Sequence, residues 1–209
     1  MRAVGIGLLL VMAGSSVFAD SLVARFGPAY STGGIYVDVS AVPLGTSPIS
    51  VAGAYDVSFS PAAPDNSNTR GVVQGPPPNH AIPIPWSGQY FSTGGVSTET
   101  ITIHFVNPQT SLTFLWGSVD LYNTLTIGNT SWTGADVIPP TGADGNQGPT
   151  GSAYVLIATD QPFHDVTFKS DQYAFEFADV RAVPDGGMTL MLLGGALVGF
   201  ETLRRKFRA

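Results

Sequence analysis

Basic residues close an apolar run at the C-terminus of this chain, and that arrangement takes the run out of any soluble core. Residues 188–200 carry one polar side chain, Thr189, and Glu201 and then Arg204, Arg205, Lys206 and Arg208 follow. Cations abutting an apolar segment are expected to hold it in a bilayer with its basic end in the cytoplasm. Pro184 and the Gly186-Gly187 pair are expected to stop regular structure from entering this segment from the residues before it. A transmembrane helix over 188–203 has 16 residues, about 24 Å at the helical rise. A hydrocarbon core of about 30 Å asks for more, so Arg204 and Arg205 are expected to snorkel and the bilayer to thin. Glu201 lies three residues before Arg204, within helical pairing distance. Gly194, Gly195 and Gly199 would weaken an amphipathic helix in water, whereas glycine is frequent in membrane helices.

The N-terminus carries a second address. Met1-Arg2 supplies a positive start, residues 4–12 an apolar run, and residues 13–19 a small-residue exit. Val17 and Ala19 occupy the −3 and −1 places of a signal-peptide cleavage site ahead of Asp20. The run is too short to span a bilayer, so residues 1–19 read as a cleaved secretory signal. Residues 20–182 remain as one domain's worth of chain, long enough to bury a proper core.

That middle portion is acidic and poor in charge. It holds thirteen Asp and Glu against Arg25, Arg70, Lys169 and Arg181, a net charge of −9. Such a surface repels nucleic acid and anionic lipid, and no basic patch tracks phosphates. With no cysteine, disulfides, thiolate metal sites and thiol nucleophiles are excluded. Charged residues make up 11% of the chain, against about a quarter in ordinary domains. Abundant Gly and Pro with Thr, Val, Ile and aromatic residues describe an all-β protein with many turns.

Period-two alternation supports strands throughout. Ile35-Tyr36-Val37-Asp38-Val39 and Ala54-Tyr55-Asp56-Val57-Ser58-Phe59 alternate, and Ile101, Ile103 and Phe105 share one face. Strands at 113–116 and 121–127 follow, separated by the Gly117-Ser118 turn; 153–158, 165–169 and 173–180 complete the set. In the last, Tyr173, Phe175 and Phe177 are expected to face one way, with Ala174, Glu176 and Ala178 on the other. About eight short strands predict two antiparallel sheets packed face to face, a β-sandwich of jelly-roll type. Residues 61–88 hold seven prolines and read as an extended surface loop.

Two groups of residues resemble known families. The tail, Val183-Pro184-Asp185-Gly186-Gly187 with its apolar run and basic end, resembles the PEP-CTERM sorting signal of Gram-negative bacteria, in the variant with Val-Pro-Asp-Gly-Gly at its core. The resemblance implies cutting near the signature by an exosortase, a membrane cysteine transpeptidase, and release to the cell surface or exopolysaccharide matrix. Val183, Pro184, Asp185, Gly186, Gly187, Arg204, Arg205 and Lys206 would then be positions read by other machinery. The segment Trp116-Gly117-Ser118-Val119-Asp120-Leu121-Tyr122-Asn123-Thr124-Leu125 is the second. With Asn146-Gln147-Gly148, Ala153-Tyr154-Val155 and Ala174-Phe175-Glu176-Phe177-Ala178-Asp179-Val180, it resembles a family of exosortase-dependent surface proteins. Those carry a W-G-S-x-D-x-Y-N-T-L motif and a closing N/Y-A-F-E-F-x-N/D-V strand. This resemblance covers about residues 90–180 and implies a route of sorting rather than an activity.

Two readings fit the motif chemically. Trp116, Asp120, Tyr122 and Asn123 form the kit of a carbohydrate contact, an aromatic platform with polar groups to fix hydroxyls. Alternatively Trp116 plugs the core while Asp120 and Asn123 satisfy turn amides; Phe114 on the same face favours this. The stretch 141–148, with Asp144 and Asn146 and with Asp136 nearby, offers the oxygen ligands and turns that calcium takes. It lacks the spacing of a calcium loop and fits a plain Gly/Asn/Asp turn better. His80, His104 and His164 are scattered, and no nucleophile or metalloprotease motif appears. A His104, Asp120 and Ser118 triad assembles on paper only. The sequence therefore predicts a non-enzymatic exported protein without a cofactor. A calcium-assisted glycan-binding module is the alternative.

Overall fold

The computed structural model describes residues 19–25, 29–30, 33–44, 48–60, 71–74, 88–93, 99–137, 151–172, 174–186 and 204. Their strands are β1 Ser21–Arg25, β2 Ile35–Tyr36, β3 Ile49–Val51, β4 Tyr55–Ser60, β5 Gly71–Gln74, β6 Gln89–Ser92, β7 Glu99–Gly117, β8 Asn123–Ile127, β9 Thr130–Thr133, β10 Ala153–Ser170 and β11 Glu176–Pro184, with one helical turn, α1, over Gly134–Val137. Every strand pair is antiparallel. The main path runs β5-β6-β11-β7-β10-β8-β9, with β1 on β10, β2 on β11, and β4 joining β3 to β7.

All-β and antiparallel agree with the sequence, but the two separate sheets expected are one curled sheet. Its ribbon is the pair β7 and β10. Early β7 lies between β4 and late β10, with Ile103 opposite both Val57 and Val166. Late β7 lies between β11 and early β10, with Trp116 opposite Phe177 and Ala153. Between these halves the register of β10 slips on both sides of Phe163, and such bulges let a sheet bend over itself. Prolines explain why the sequence split both strands. Pro108 and Pro162 fall where the ladder between β7 and β10 is interrupted, so their missing N–H groups are not needed there.

Curling places one core between the halves. Ile101, Ile103 and Phe105 from early β7 and Leu112, Phe114 and Trp116 from late β7 are all buried in it. Five rings meet at its centre: Phe168 stacks on Phe177 at 3.7 Å and Trp116 on Phe175 at 4.4 Å, while Phe114 meets Phe168 edge-on at 5.3 Å. Each such ring contributes about 2–3 kcal/mol by leaving water. The small strand β2 reaches β11 through Gly34, whose φ is 128°. A Cβ there would run into the carbonyl of Ala182, so only glycine permits the approach.

Two boundaries differ from expectation. The proline-rich stretch 61–88 is interrupted by β5, whose Val72 and Val73 are buried. Strand β11 runs through Val183 and Pro184, which pair with Ser111 and Gln109, and the Asp185 N–H donates to the Pro108 carbonyl at 3.0 Å. Pro184 does not stop the strand because β2 has ended at its Ala182 pairing, and among the described residues no strand on that side needs an N–H from it. Residues 1–18, including Val17, lie outside the described residues, as do Gly187, Arg205, Lys206 and the segment 188–203. Among the described residues no helix is long and apolar enough to cross a membrane.

Candidate functional site

Strand β7 ends at Gly117, and the chain turns towards β8 with Ser118 in the left-handed region at φ 35°. This costly conformation for a residue with a Cβ brings the Ser118 hydroxyl to Glu176, where Oγ donates to Oε2 at 2.8 Å. Glu176 opens β11, opposite Gly117 of β7 and Ser92 of β6. Asp120 follows the turn and is 4% exposed. The first residue of α1, Gly134, lies so close to the Asp120 carbonyl that a Cβ would collide with it. Asn123 then closes the corner, its Nδ2 donating to the Ala174 carbonyl at 3.1 Å while its Oδ1 accepts from Ser170 Oγ at 2.8 Å.

The two motifs singled out in the sequence are therefore two halves of one clasp. Ser118 and Asn123 from the first grip Glu176 and Ala174 from the second, across 58 and 51 residues of chain. The rings follow the same division, with Trp116 of the first motif stacked on Phe175 of the second. Position 179 has its own reason. The register slips between Ala178 and Arg181, and Asp179 adopts φ 50°, a conformation that Asn and Asp tolerate best after glycine. Its carboxylate accepts from Arg181 at 2.9 and 3.0 Å. Burial first, and then the Asp179 charge and hydrogen bond, push the Tyr154 hydroxyl up to about 12.

Electrostatics make the clasp sensitive to protons. Burial is the main cause that drives the Glu176 carboxyl up to about 7; the nearby Asp120 charge adds to it and the Ser118 hydroxyl opposes it. Tyr122 is pushed up by burial, by the Asp120 charge and by its hydrogen bond to Asp120. Glu176 and Asp120 are thus coupled by charge, with Ser118 hydrogen-bonded to the first and Tyr122 to the second. Perturbed groups of this kind mark functional sites and structural networks alike. Here they lie under the sheet rather than in a cleft: Ser118, Asp120 and Glu176 are each about 5% exposed.

Residues expected to meet a ligand have other work. Trp116 and Asn123 are 0% exposed, so the aromatic platform for sugar is corrected: the Trp116 ring is a core plug, and Asp120 lies buried beside half-buried Tyr122. Asp136 ties down the start of α1, its carboxylate accepting from the Thr133 N–H at 2.7 Å and the Thr133 hydroxyl at 3.0 Å, the side-chain-to-backbone half of a capping box. Asp144 and Asn146 lie outside the described residues. The paper triad does not assemble, since the His104 ring is held by Asp165 on the exposed face while Ser118 is held by buried Glu176.

Sequence reasoning missed Glu176 as the centre of the clasp. A glutamate between two phenylalanines of an alternating strand was its signal, because that strand is buried on both faces. Asp20 was singled out as a cleavage neighbour only. Its carboxylate accepts from the Thr130 hydroxyl and, at 2.9 Å, from the Asp160 N–H, tying down the strand β1 that starts at the next residue. No family model, curated protein or solved structure matches this chain.

Proposed function

We propose that this chain is an exported, non-enzymatic surface or extracellular-matrix protein, delivered by a secretory signal and sorted through a PEP-CTERM-type tail by an exosortase. Its payload is the curled sheet, read in finer terms as a jelly-roll-like sandwich. One observation supports the reading: the described strands begin at Ser21, directly after the signal site, and end at Pro184, inside the tail signature. Asp20, the first residue after the signal site, already makes side-chain bonds to the sheet, and strand pairing runs out at Pro184, inside the tail signature. Trimming before Asp20 leaves every described strand with its partners, and a cut beyond Pro184 leaves β11 its full pairing with β7. The inward-facing motif side chains favour this scaffold role over a glycan-binding one, because the ring meant for a sugar is spent on Phe175.

In a host that carries an exosortase, the wild type is expected in the surface or matrix fraction. A variant with Pro184, Asp185 and Gly186 all replaced by alanine is expected to stay in the membrane fraction with its tail attached. Equal release of both proteins counts against sorting through this tail.

A further inference from the structure

Two histidines that the sequence separates meet on the outer face of the sheet. His104 lies in early β7, directly opposite Asp165 of β10. His164 precedes Asp165, and neighbours in a regular strand point to opposite faces. The register of β10 shifts between Phe163 and Asp165, however, and both His164 and Asp165 are exposed while Phe163 is buried. A bulge re-aims side chains in this way. It brings the His164 ring alongside that of His104, with centroids 5.7 Å apart and planes within 16°.

The bonds of the two rings fix where their lone pairs point. His104 Nδ1 is 2.8 Å from Asp165 Oδ1, and His164 Nδ1 is 2.8 Å from the Phe105 carbonyl oxygen. A carboxylate and a carbonyl only accept, so each Nδ1 carries the hydrogen and donates it. Each neutral ring then keeps a bare Nε2. Metal-binding histidines are oriented in this manner, with the second nitrogen donating to a carboxylate or backbone carbonyl. The His104 and Asp165 side chains are 49% and 62% exposed, so an ion reaches them from solvent. Asp56 of β4 stands opposite His104 on the other side and is also exposed, adding negative charge that attracts a cation.

We propose that His104 and His164 form a surface chelate for a divalent d-block cation, with Asp165 and the Phe105 carbonyl as the groups that position the rings. Imidazole nitrogen suits Cu2+, Ni2+ and Zn2+, and Cu2+ binds tightest in that series. No three His, Cys, Asp or Glu among the described residues converge on one point, so water completes the coordination around two nitrogens. The ring planes lie within 16° of each other, so binding requires the exposed rings to rotate out of the stack until both Nε2 lone pairs meet on one ion.

The test is titration of untagged full chain, in mild detergent, with Cu2+ followed by calorimetry and electron paramagnetic resonance. One ion per chain with the signature of two imidazole nitrogens is expected. His104→Ala and His164→Ala should each weaken binding at least about tenfold and leave a single-nitrogen signature. Asp165→Ala should keep two nitrogens but weaken binding about 10–100-fold, as loss of an orienting partner does. His80→Ala should bind as the wild type does. All four variants are compared at equal thermal stability without metal, which the exposed positions of His104, His164 and Asp165 permit. Cu2+ binding that survives in both histidine variants, or that is lost in His80→Ala, overturns the proposal.

Discussion

Replacing Glu176 with glutamine tests the clasp at its centre. The side chain keeps its shape and still offers Ser118 an acceptor, but it can no longer ionise. In the wild type the folded carboxyl titrates at about 7 against an ordinary 4.5. Below about pH 4.5 both folded and unfolded chains hold the proton, and burial of a neutral acid costs little. As pH rises, the unfolded chain ionises first, so stability falls until the folded carboxyl also ionises, near pH 7. At about 1.4 kcal/mol per pH unit, the full gap corresponds to about 3 kcal/mol. Urea unfolding of residues 20–186, followed by tryptophan fluorescence from pH 5 to 8.5, measures it. The glutamine variant should gain about 2–3 kcal/mol over the wild type between the two ends of this range. Asp120→Asn should shrink the gain by removing the charge that helps raise Glu176. Wild-type and glutamine curves that stay parallel across the range would refute a buried, proton-holding Glu176.

Three further outcomes follow from the geometry. Trp116→Ala should cost about 3–5 kcal/mol by emptying the stack on Phe175, read as a lower urea midpoint, since the ring is fully buried. Gly34→Ala drives a Cβ into the Ala182 carbonyl, so the Val37 N–H bonded to the Val180 carbonyl at 3.0 Å should exchange with deuterium faster while the β7 amides keep their protection. Asp20→Ala should speed exchange at Ser21–Arg25. Hydrogen bonding to Thr130 first, and to Asp160, holds the Asp20 carboxyl below its usual range, so acid should loosen β1 in the wild type as pH falls through that lowered value, and the variant should lack this response.

Local pattern made much of the fold legible. Alternation located β4, early β7, β8 and β11, and Phe114 on the face of Trp116 pointed that ring inward. Two long strands, β7 and β10, were each read as two short ones, because Pro108 and Pro162 lie where the pairing is interrupted without the strand ending. Between prolines, β5 has only four residues, too few for a period to register. The clasp was legible as two unusual motifs but not as one object. Ser118 and Glu176 stand 58 residues apart, and only the curl of β7 and β10 brings them together. Asp179 was recorded as a motif position, and its cause, a left-handed residue at a bulge, belongs to pairing rather than to local sequence. The same holds for His164, whose direction is set by a register shift.

The most direct measurement is the intact mass of the protein recovered from the cells that make it, by fraction. Export with double trimming predicts a surface species that starts at Asp20 and ends at or beyond Pro184, because a cut before Val183 would remove its pairing with Ser111. Recovery from the cytosol of a chain that still runs from Met1 to Ala209, with no trimmed form outside, would contradict it.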